Sequence, residues 1–432
     1  MAYDDELVKR REQREKLRQK RLSEHKKMMT KLIIAGISLI LCAVVIFVVV
    51  DRSGISLPTE PRPTEPPISQ LLPTENPLET APTEPQTPTF IEDTTVINFV
   101  AAGDITVTDK TAHLNYQNAL MDVLPVLCAG DLTSVNFEGN LIGSPYGSEN
   151  YSAPQSLMEA LANAGVDLVQ MANSRSIANG LTGLNTTLTN IRAAGLEPVG
   201  AWSTNEEAKE SGGYTIREVN GVRVAIVAFT KGMDSMALPV GSENCVNLLY
   251  EDYATVWQEV DTDGITKILK AIEKEKPDIT IALVHWGSEY RDQISSTQKI
   301  IKNLMLANGV DAIIGTHPHY VHAMEYDQEN GTFVAYSLGD LLGDGETAGT
   351  EYGVILNLEI TKDNIEGVTK ITGYSYTPIF NSRMEGREIK ILRLDEAVEA
   401  YETGYMYRVS QDLYEDMLYA RQRVEARVHP DE

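Results

Sequence analysis

Cysteine is scarce in this sequence, with three in 432 residues. Cys42 falls inside a long apolar run, which leaves only Cys128 and Cys245 for the sequence that follows. These two could pair in an oxidising compartment, but one pair does not make a disulfide framework. The protein therefore depends on a hydrophobic core, and a segment of about 340 residues is long enough to form one or two such cores.

Basic residues are also few, since 37 Lys and Arg stand against 62 Asp and Glu and the formal net charge is −25. Eleven of the basic residues lie in 1–31 together with six acidic ones, so the remainder is more acidic than the whole chain. Binding of a polyanion by such a surface needs a metal or a local basic patch, and the sequence contains no such patch after residue 51. The composition argues against a nucleic-acid partner.

One long uncharged stretch is present, the nineteen residues from Leu32 to Val50. As a helix it would span about 28 Å, close to the hydrocarbon thickness of about 30 Å. Asp51 and Arg52 follow directly without a small-residue cleavage pattern, so we predict an uncleaved transmembrane helix rather than a signal peptide. The positive-inside rule then predicts a single-pass protein of the cell membrane, with the basic tail 1–31 in the cytoplasm and the rest extracellular.

The segment 51–92 has the composition of a linker. Residues 53–92 hold ten of the nineteen prolines and four Pro-Thr-Glu repeats. Proline-rich chain favours an extended geometry of about 3.1 Å per residue, so about forty residues reach about 120 Å. We expect a stalk that holds the next domain away from the membrane.

From residue 93 onward, apolar runs typical of strands alternate with helical patterns. Three helical stretches end at a glycine that precedes a short apolar run: Gly165, Gly195 and Gly309. Asn220 and Gly221 separate two apolar runs and predict a type I′ hairpin. We predict an α/β domain with a mixed sheet at 93–385 and a helical extension at 386–432.

Polar residues follow many of the predicted strands: Asp104, Glu138, Asn173, His285, His317, His319 and Asp340. Ligands in open α/β folds gather at the carboxyl ends of strands, so these side chains should converge although they are far apart in sequence. Taken singly, each has an ordinary alternative, such as a turn cap or a surface histidine. Taken together they predict one site, because imidazoles in a polar loop suit a transition metal or a phosphoryl oxygen.

Several short motifs carry a resemblance to a known family: G-D-I at 103–105, N-F-E-G-N-L at 136–141, V-H-W-G-S-E-Y at 284–290, G-T-H-P-H at 315–319 and Y-S-L-G-D at 336–340. On these motifs the sequence resembles the CapA family over roughly residues 95–383. That family is associated with poly-γ-glutamate capsule synthesis. The resemblance implies a calcineurin-like metallophosphoesterase-type domain, which is a β-sandwich flanked by helices with metal ligands on strand-end loops.

The resemblance also implies roles for individual residues. A divalent metal, Mn, Fe or Zn, would be held by Asp104, Glu138, His285, His317 and His319. Catalysis would involve His285, Arg175 and Asp340. Substrate contacts would come from Asn173, Arg175, Trp286 and Tyr290.

One motif departs from the family pattern A-N-N-H-x-x-D-x-G, which reads A-N-S-R-S-I-A-N-G at 172–180. Ser174 replaces an Asn expected to bind metal, Arg175 replaces a His expected to act as general acid, and Ala178 replaces the Asp. Asp340 likewise stands where the family usually has Asn. Arginine cannot shuttle protons at neutral pH, although it can clamp an anion bidentately.

Two functions remain open from the sequence. The five implied ligands favour a membrane-tethered, metal-dependent hydrolase or transferase that acts on an anionic envelope polymer, at a phosphodiester or γ-glutamyl amide bond. The altered motif at 172–180 favours a catalytically degenerate subunit that binds the polymer or a capsule synthase subunit and assists export or anchoring. A third hypothesis, a purely structural wall protein, would leave the histidine cluster unexplained.

Overall fold

The computed structural model describes residues 93–383, 388–405 and 409–430. The predicted cytoplasmic tail, transmembrane helix and stalk, which together cover 1–92, lie outside these residues. Among the helices that are described, none combines the length and the apolar character needed to cross a bilayer.

Strands and helices alternate along the described chain. The strands are β1 (Thr94–Thr106), β2 (Leu132–Glu138), β3 (Leu168–Gln170), β4 (Glu197–Val199), β5 (Thr215–Val219), β6 (Val222–Thr230), β7 (Ile279–His285), β8 (Ala312–Thr316), β9 (Met324–Asp327), β10 (Thr332–Ala335), β11 (Asp340–Leu342), β12 (Tyr352–Asp363), β13 (Thr369–Ser382) and β14 (Lys390–Arg393). The helices are α1 (Tyr116–Leu120), α2 (Leu124–Leu127), α3 (Ser156–Asn163), α4 (Gly180–Ala193), α5 (Asn205–Ser211), α6 (Thr262–Glu275), α7 (Ser296–Ala307), α8 (Leu394–Glu402) and α9 (Gln411–Val428).

The described strands form two mixed sheets. The first has the order β14-β13-β12-β1-β2-β3-β4, with β11 pairing beside the end of β1, and the second has the order β5-β6-β7-β8-β10-β9. Neighbours from β1 to β4, and from β6 through β7 and β8 to β10, run parallel. The pairs β14–β13, β13–β12, β12–β1, β5–β6 and β10–β9 are antiparallel. The predicted mixed α/β class is confirmed.

Strand β6 illustrates how the sequence builds the core. Its side chains alternate between two faces because successive residues of a strand point in opposite directions. Val224 and Ile226 belong to a large cluster that also contains Phe99 and Val135 of the first sheet. The intervening residues, such as Val227, join a second cluster with the buried faces of α6 and α7. The two sheets therefore share one core, and the second sheet carries helices on its other face.

The predicted turns are confirmed. Gly165, Gly195 and Gly309 adopt φ values of 83° to 87°, which suit glycine at the end of a helix. Asn220 and Gly221 both have positive φ, and the register pairs Val219 with Val222 across them. This is the two-residue hairpin that an Asn-Gly pair favours.

Four aspartates, which we call the amino-edge aspartates, lie just before parallel strands: Asp131, Asp167, Asp278 and Asp311. Each carboxylate accepts a backbone N–H from the neighbouring strand at 2.7–2.8 Å, donated by Asn98, Thr133, Arg223 and Thr280 respectively. The N–H of each aspartate donates in return to the carbonyl of the same partner. The first rung of each strand pair is therefore closed by an Asp side chain.

The segment 386–432, which the sequence predicts as a helical extension, also contributes a strand. Strand β14 pairs with β13 and extends the first sheet. Its apolar residues Ile391 and Leu392 are buried. The helices α8 and α9 then bury residues of the large cluster, including Leu394 and Met417. The described part of this segment belongs to the same core as the preceding domain. Cys128 and Cys245 are both free, so they do not form the disulfide that the sequence allowed.

Candidate metal centre

Parallel pairing of β1 and β2 brings Asp104 and Glu138 to the same edge of the first sheet. The sequence places Asp104 after the end of a strand, but β1 continues to Thr106 because β11 pairs with it, with Asp104 opposite Asp340. Gly103 allows this close approach, since a Cβ there would lie 1.8 Å from the carbonyl oxygen of Gly339. The prediction that the strand ends at Asp104 is wrong, yet its side chain reaches the expected edge.

The second sheet supplies the histidines. His285 is the last residue of β7, and β8 ends at Thr316, just before His317 and His319. Strand geometry does not persist through these two residues, since their φ values are +93° and +59°. Such conformations are costly for residues with a Cβ and occur most often at functional sites. A strained turn therefore places the two imidazoles.

These side chains form two groups that could each hold a metal ion: Glu138, His285 and His317 in one, and Asp104, Glu138 and His319 in the other. Within each group one nitrogen or oxygen atom per residue lies within 4.8 Å of the others, and every member is buried. Glu138 belongs to both groups. We call the five residues the carboxyl-edge cluster.

The protonation of the cluster suits a cation. Burial, and then the neighbouring positive groups, hold the pKa values of His285 and His317 well below their ordinary range, so both imidazoles are neutral. Burial and the nearby Asp104 carboxylate raise the pKa of Glu138 well above its ordinary value. A divalent ion between these groups would relieve that repulsion and accept the imidazole lone pairs.

One further observation supports the fit. The Nδ1 atom of His317 is buried and has no hydrogen-bond partner among the described residues. A buried polar atom without a partner is costly, and such atoms are expected where a ligand completes the site. Carboxylates and neutral imidazoles together suit Mn, Fe or Zn. The residues therefore fit the predicted divalent metal, without distinguishing among the three.

A residue that sequence reasoning missed organises the carboxylates. Asn136, inside β2, donates from its amide nitrogen to Asp104 Oδ1 at 2.6 Å. Asn173 donates in turn to Asn136 Oδ1 at 3.0 Å and to the carbonyl of Phe137 at 2.7 Å. The predicted substrate-binding residue Asn173 is fully buried behind the cluster and supports Asn136 instead. The N-F-E motif, with Asn two residues before Glu on the same strand face, was the signal available for Asn136.

The altered motif contacts His285 directly. The backbone N–H of Ser174 and its hydroxyl lie 3.2 and 3.1 Å from His285 Nε2. On the other side of the ring, Nδ1 lies 3.2 Å from Thr316 Oγ1 and 3.7 Å from Glu138 Oε1. Of the two ring nitrogens, Nε2 is thus held by Ser174, and Nδ1 is the one that faces Glu138.

Arg175 forms an ion pair with Asp234, and its guanidinium lies 4.0 Å from the centre of the Tyr151 ring. These two contacts hold a permanent positive charge at the wall of a cavity of about 230 Å³. Glu138, His319 and Asp340 line the same cavity. The predicted residues Arg175 and Asp340 are thus brought together with the cluster.

His319 is held by two neighbours. Its Nδ1 lies 2.8 Å from Asp340 Oδ1, and the ring of Tyr290 stacks on it with centroids 5.4 Å apart. Burial raises the pKa of Asp340 to about 6, against the opposing effect of His319. Burial also disfavours charge on His319, but Asp340, Glu138 and Asp104 outweigh it and raise its pKa well above the ordinary value.

Trp286 does not line this cavity, contrary to the implied substrate contact. It is fully buried, stacks on Tyr336, and donates its indole N–H to the carbonyl of Tyr336 at 2.9 Å. Because it follows His285 directly, its side chain points to the opposite face, toward the second cluster. Tyr290, by contrast, lines the cavity as the resemblance implies.

Lys231 was also missed by sequence reasoning. It directly follows β6, and its backbone N–H donates to the carbonyl of His285 at 2.8 Å. The sequence did contain a signal for Lys231, because Thr-Lys directly follows the apolar run Val222–Phe229. Polar residues after a predicted strand are the pattern that identified the other site residues.

Comparison with known proteins gives a family match. The model of the family described as bacterial capsule synthesis protein PGA_cap matches residues 98–345. A capsule biosynthesis protein CapA of Bacillus anthracis is 27% identical over 233 residues, which are 51% of this chain and 53% of that protein. A PGA biosynthesis protein CapA of Bacillus subtilis is 26% identical over 312 residues, 68% of this chain and 76% of that protein. The match thus spans about half the length of the first relative.

Two solved structures also align with part of this chain. A hypothetical protein from Thermus thermophilus has a TM-score of 0.41 at 14% identity, covering 65% of this chain and 98% of its own. The calcineurin-like phosphoesterase YfkN of Bacillus subtilis has a TM-score of 0.40 at 15% identity, covering 76% of this chain and 99% of that chain.

Proposed function

Since this chain belongs to the bacterial capsule synthesis protein family PGA_cap, we propose that it acts in the synthesis of an anionic envelope polymer such as poly-γ-glutamate. The proposed chemistry is metal-dependent hydrolysis or transfer at the carboxyl-edge cluster. The bond attacked is a γ-glutamyl amide or a phosphodiester. The relatives named for capsule biosynthesis and PGA biosynthesis support the choice of polymer.

The observation that carries this proposal is the pair of ligand groups that share Glu138. Five buried residues contribute to these two groups, and the Nδ1 of His317 is left without a hydrogen-bond partner among the described residues. A free imidazole nitrogen beside buried carboxylates is available to a metal ion. When bound, a divalent metal would lower the pKa of a water and neutralise charge that builds on an acyl or phosphoryl oxygen.

The chain's own residues would prepare the site for that chemistry. Asn136 holds Asp104 in a fixed position, and Asp340 does the same for His319. Ser174 holds the ring of His285 in position through its backbone N–H. Arg175 would bind an oxyanion of the substrate at the cavity wall, because its guanidinium offers five donors in a planar fork.

We also propose the location predicted from the sequence. The basic segment 1–31 and the apolar segment 32–50 support a membrane anchor that leaves the domain outside the cell, where it would meet the polymer and its synthase subunits. Protease added to intact cells should remove the domain while a cytoplasmic marker survives. Resistance of the domain in intact cells, with digestion after lysis, would contradict this topology.

The first test is the metal content of the full-length chain, purified without chelator and measured by plasma mass spectrometry. We expect near-stoichiometric Mn, Fe or Zn, and its loss when His285, His317 and His319 are all replaced by alanine. His322→Ala is the matched control, because His322 is equally buried but its Nε2 bonds to the carbonyl of Arg291 at 2.7 Å, outside the cluster. Absence of metal in the wild type, even after metal is added back, would overturn the proposed chemistry.

A second candidate function is binding without bond cleavage. The specific observation is Arg175, which stands in place of the family's His and is already engaged by Asp234 and Tyr151. Arginine does not release a proton near neutral pH, so no acid serves the leaving group from this position. The same residues would then hold the anionic polymer during export or anchoring.

The two candidates are separated by restoring the family motif. The double variant Ser174→Asn with Arg175→His should raise hydrolysis of a γ-linked glutamate oligomer if loss of these groups limits catalysis. Arg175→Lys is the control, since it keeps the charge and supplies no imidazole. A wild type that already hydrolyses the oligomer as fast as the double variant would exclude the binding-only function.

A further inference from the structure

A second cavity, of about 210 Å³, lies next to the first, and Glu289 lines both. Ser174 and His317 of the metal centre line it together with Lys231 and Trp257. It thus adjoins the carboxyl-edge cluster at His317, and the proposed function assigns no substrate contact to this cavity.

Lys231 is the cationic side chain among the residues that line this cavity. Its ammonium donates to the carbonyl of Gly287 at 2.8 Å and lies 4.4 Å from the centre of the Trp257 ring. Burial lowers the pKa of this ammonium from its ordinary value, although Glu289 and Asp234 oppose the shift. In the described part of the chain, the contacts that hold the ammonium are therefore a carbonyl and an aromatic face.

This arrangement leaves Lys231 with capacity for a ligand. An ammonium has three N–H donors, and the carbonyl of Gly287 uses one of them. The carboxylates of Asp234 and Glu289 also line the cavity, and that of Asp234 is engaged by Arg175. The aromatic face fixes the ammonium in position without using a hydrogen bond.

The second wall of the cavity is the metal centre itself. His317 is buried there with its unpartnered Nδ1, and the hydroxyl of Ser174 lies 3.1 Å from His285 Nε2. A substrate bound at the cluster would therefore place a chemical group next to its reacting bond in this second cavity. The volume of about 210 Å³ suits a group the size of one amino-acid side chain.

We propose that this second cavity is a subsite for a carboxylate of the substrate, and that Lys231 is the residue that selects it. The inference rests on the proposed function and deepens it. In a γ-linked glutamate chain every amide has a free α-carboxylate beside it, so an amide held at the cluster presents a carboxylate a few bonds away. Lys231 binds that carboxylate, and Trp257 keeps the ammonium oriented.

The test uses the full-length chain loaded with Mn²⁺ and a defined γ-linked glutamate oligomer, with affinity measured by titration calorimetry. Lys231→Met keeps the length of the side chain against Trp257 and removes the charge. We expect it to weaken binding about tenfold or more, since a charge-assisted hydrogen bond is lost in a partly buried site. Lys231→Arg, which keeps the charge, should bind within about threefold of the wild type.

The matched control is Lys302→Met. Lys302 also has its ammonium near an aromatic ring, 5.8 Å from the centre of Tyr336, but it pairs with Glu325 and does not line the cavity. It should bind the oligomer like the wild type. An oligomer with its α-carboxylates converted to carboxamides should bind the wild type and Lys231→Met equally weakly.

The outcomes separate this inference from the proposed function. Equal affinity of wild type and Lys231→Met for the glutamate oligomer, at equal Mn²⁺ content and thermal midpoint, overturns the subsite alone. Inorganic phosphate that displaces the oligomer from the wild type at similar concentration would replace the carboxylate assignment with a general oxyanion site. Failure of the Mn²⁺-loaded wild type to bind the oligomer overturns the proposed function and the subsite with it.

Discussion

The two ends of the parallel strands use the same residue types for opposite purposes. At the amino ends, each of the four amino-edge aspartates accepts a backbone N–H of the adjacent strand. At the carboxyl ends, the carboxylates of Asp104 and Glu138 face imidazoles and each other. Aspartate near a strand end is therefore no sign of function by itself, and its partner decides which role it has.

The difference is also energetic. The amino edge is satisfied, because each of its four aspartates accepts a backbone N–H with its carboxylate and donates its own backbone N–H to the carbonyl of the same partner. The carboxyl edge has positive φ at His317 and His319, an unpartnered buried nitrogen, and a carboxyl whose pKa burial and Asp104 raise. Strain and buried like charges are tolerated where a ligand will occupy the site. The comparison predicts that substitutions at the carboxyl edge lower the metal content, whereas substitutions at the amino edge lower the free energy of unfolding.

The largest effect should follow Glu138→Gln, because Glu138 belongs to both ligand groups. We expect the metal content of the full-length chain to fall to below about a tenth of the wild-type value, since a neutral amide is a poor ligand beside Asp104. In the metal-free protein the same variant should not lower the free energy of unfolding, because it removes a buried charge. Asp167→Asn at the amino edge is the control and should keep its metal.

The converse experiment is Asp167→Ala. It leaves the N–H of Thr133 without its acceptor, on a strand whose residues are all buried. We expect the free energy of unfolding to fall by about 1–3 kcal/mol, as measured by urea denaturation, with the metal content unchanged. A loss of metal without a loss of stability would reverse the proposed division between the two edges.

A smaller effect should reveal the strain at His317. With φ at +93°, glycine suits this backbone better than alanine, so His317→Gly should be about 1 kcal/mol more stable than His317→Ala. Urea denaturation of the metal-free proteins provides the comparison. The matched pair at His322, which is not among the residues with positive φ, should show the opposite order. A His317→Ala variant at least as stable as His317→Gly would mean that the turn stores no strain.

The comparison also explains what the sequence could predict. Asp104 and Glu138 were found because side chains at the ends of adjacent parallel strands must share an edge, whatever their separation in sequence. His285 was found at the carboxyl edge of the second sheet in the same way. The same rule would have found Lys231. Trp286 was misplaced although strand alternation alone sends it away from His285. For all of these residues, the positions of the strands in the sequence were enough to predict on which edge or face the side chain lies.

Other features depend on contacts between distant segments. The hydrogen bond from Asn136 to Asp104, the ion pair of Arg175 with Asp234, and the positive φ at His317 arise from packing of separate strands and loops. No local pattern specifies them. The roles of the amino-edge aspartates were likewise hidden, because an Asp before a strand can equally be a turn residue.

The smallest predicted effect concerns pH and the amino edge alone. Burial raises the pKa of Asp311 to about 6, above its ordinary value of 3.8, so the folded protein binds this proton more tightly than the unfolded chain. Its contribution is therefore complete below about pH 4 and is lost as the pH rises through about 6. Asp311→Asn keeps an oxygen for the N–H of Thr280 and removes the charge. In urea denaturation with chelator present, the variant should gain on the order of 1 kcal/mol over the wild type at pH 8 and nothing at pH 4. A difference independent of pH would mean that folding does not shift the pKa of Asp311, so that its charge has no net cost at this edge.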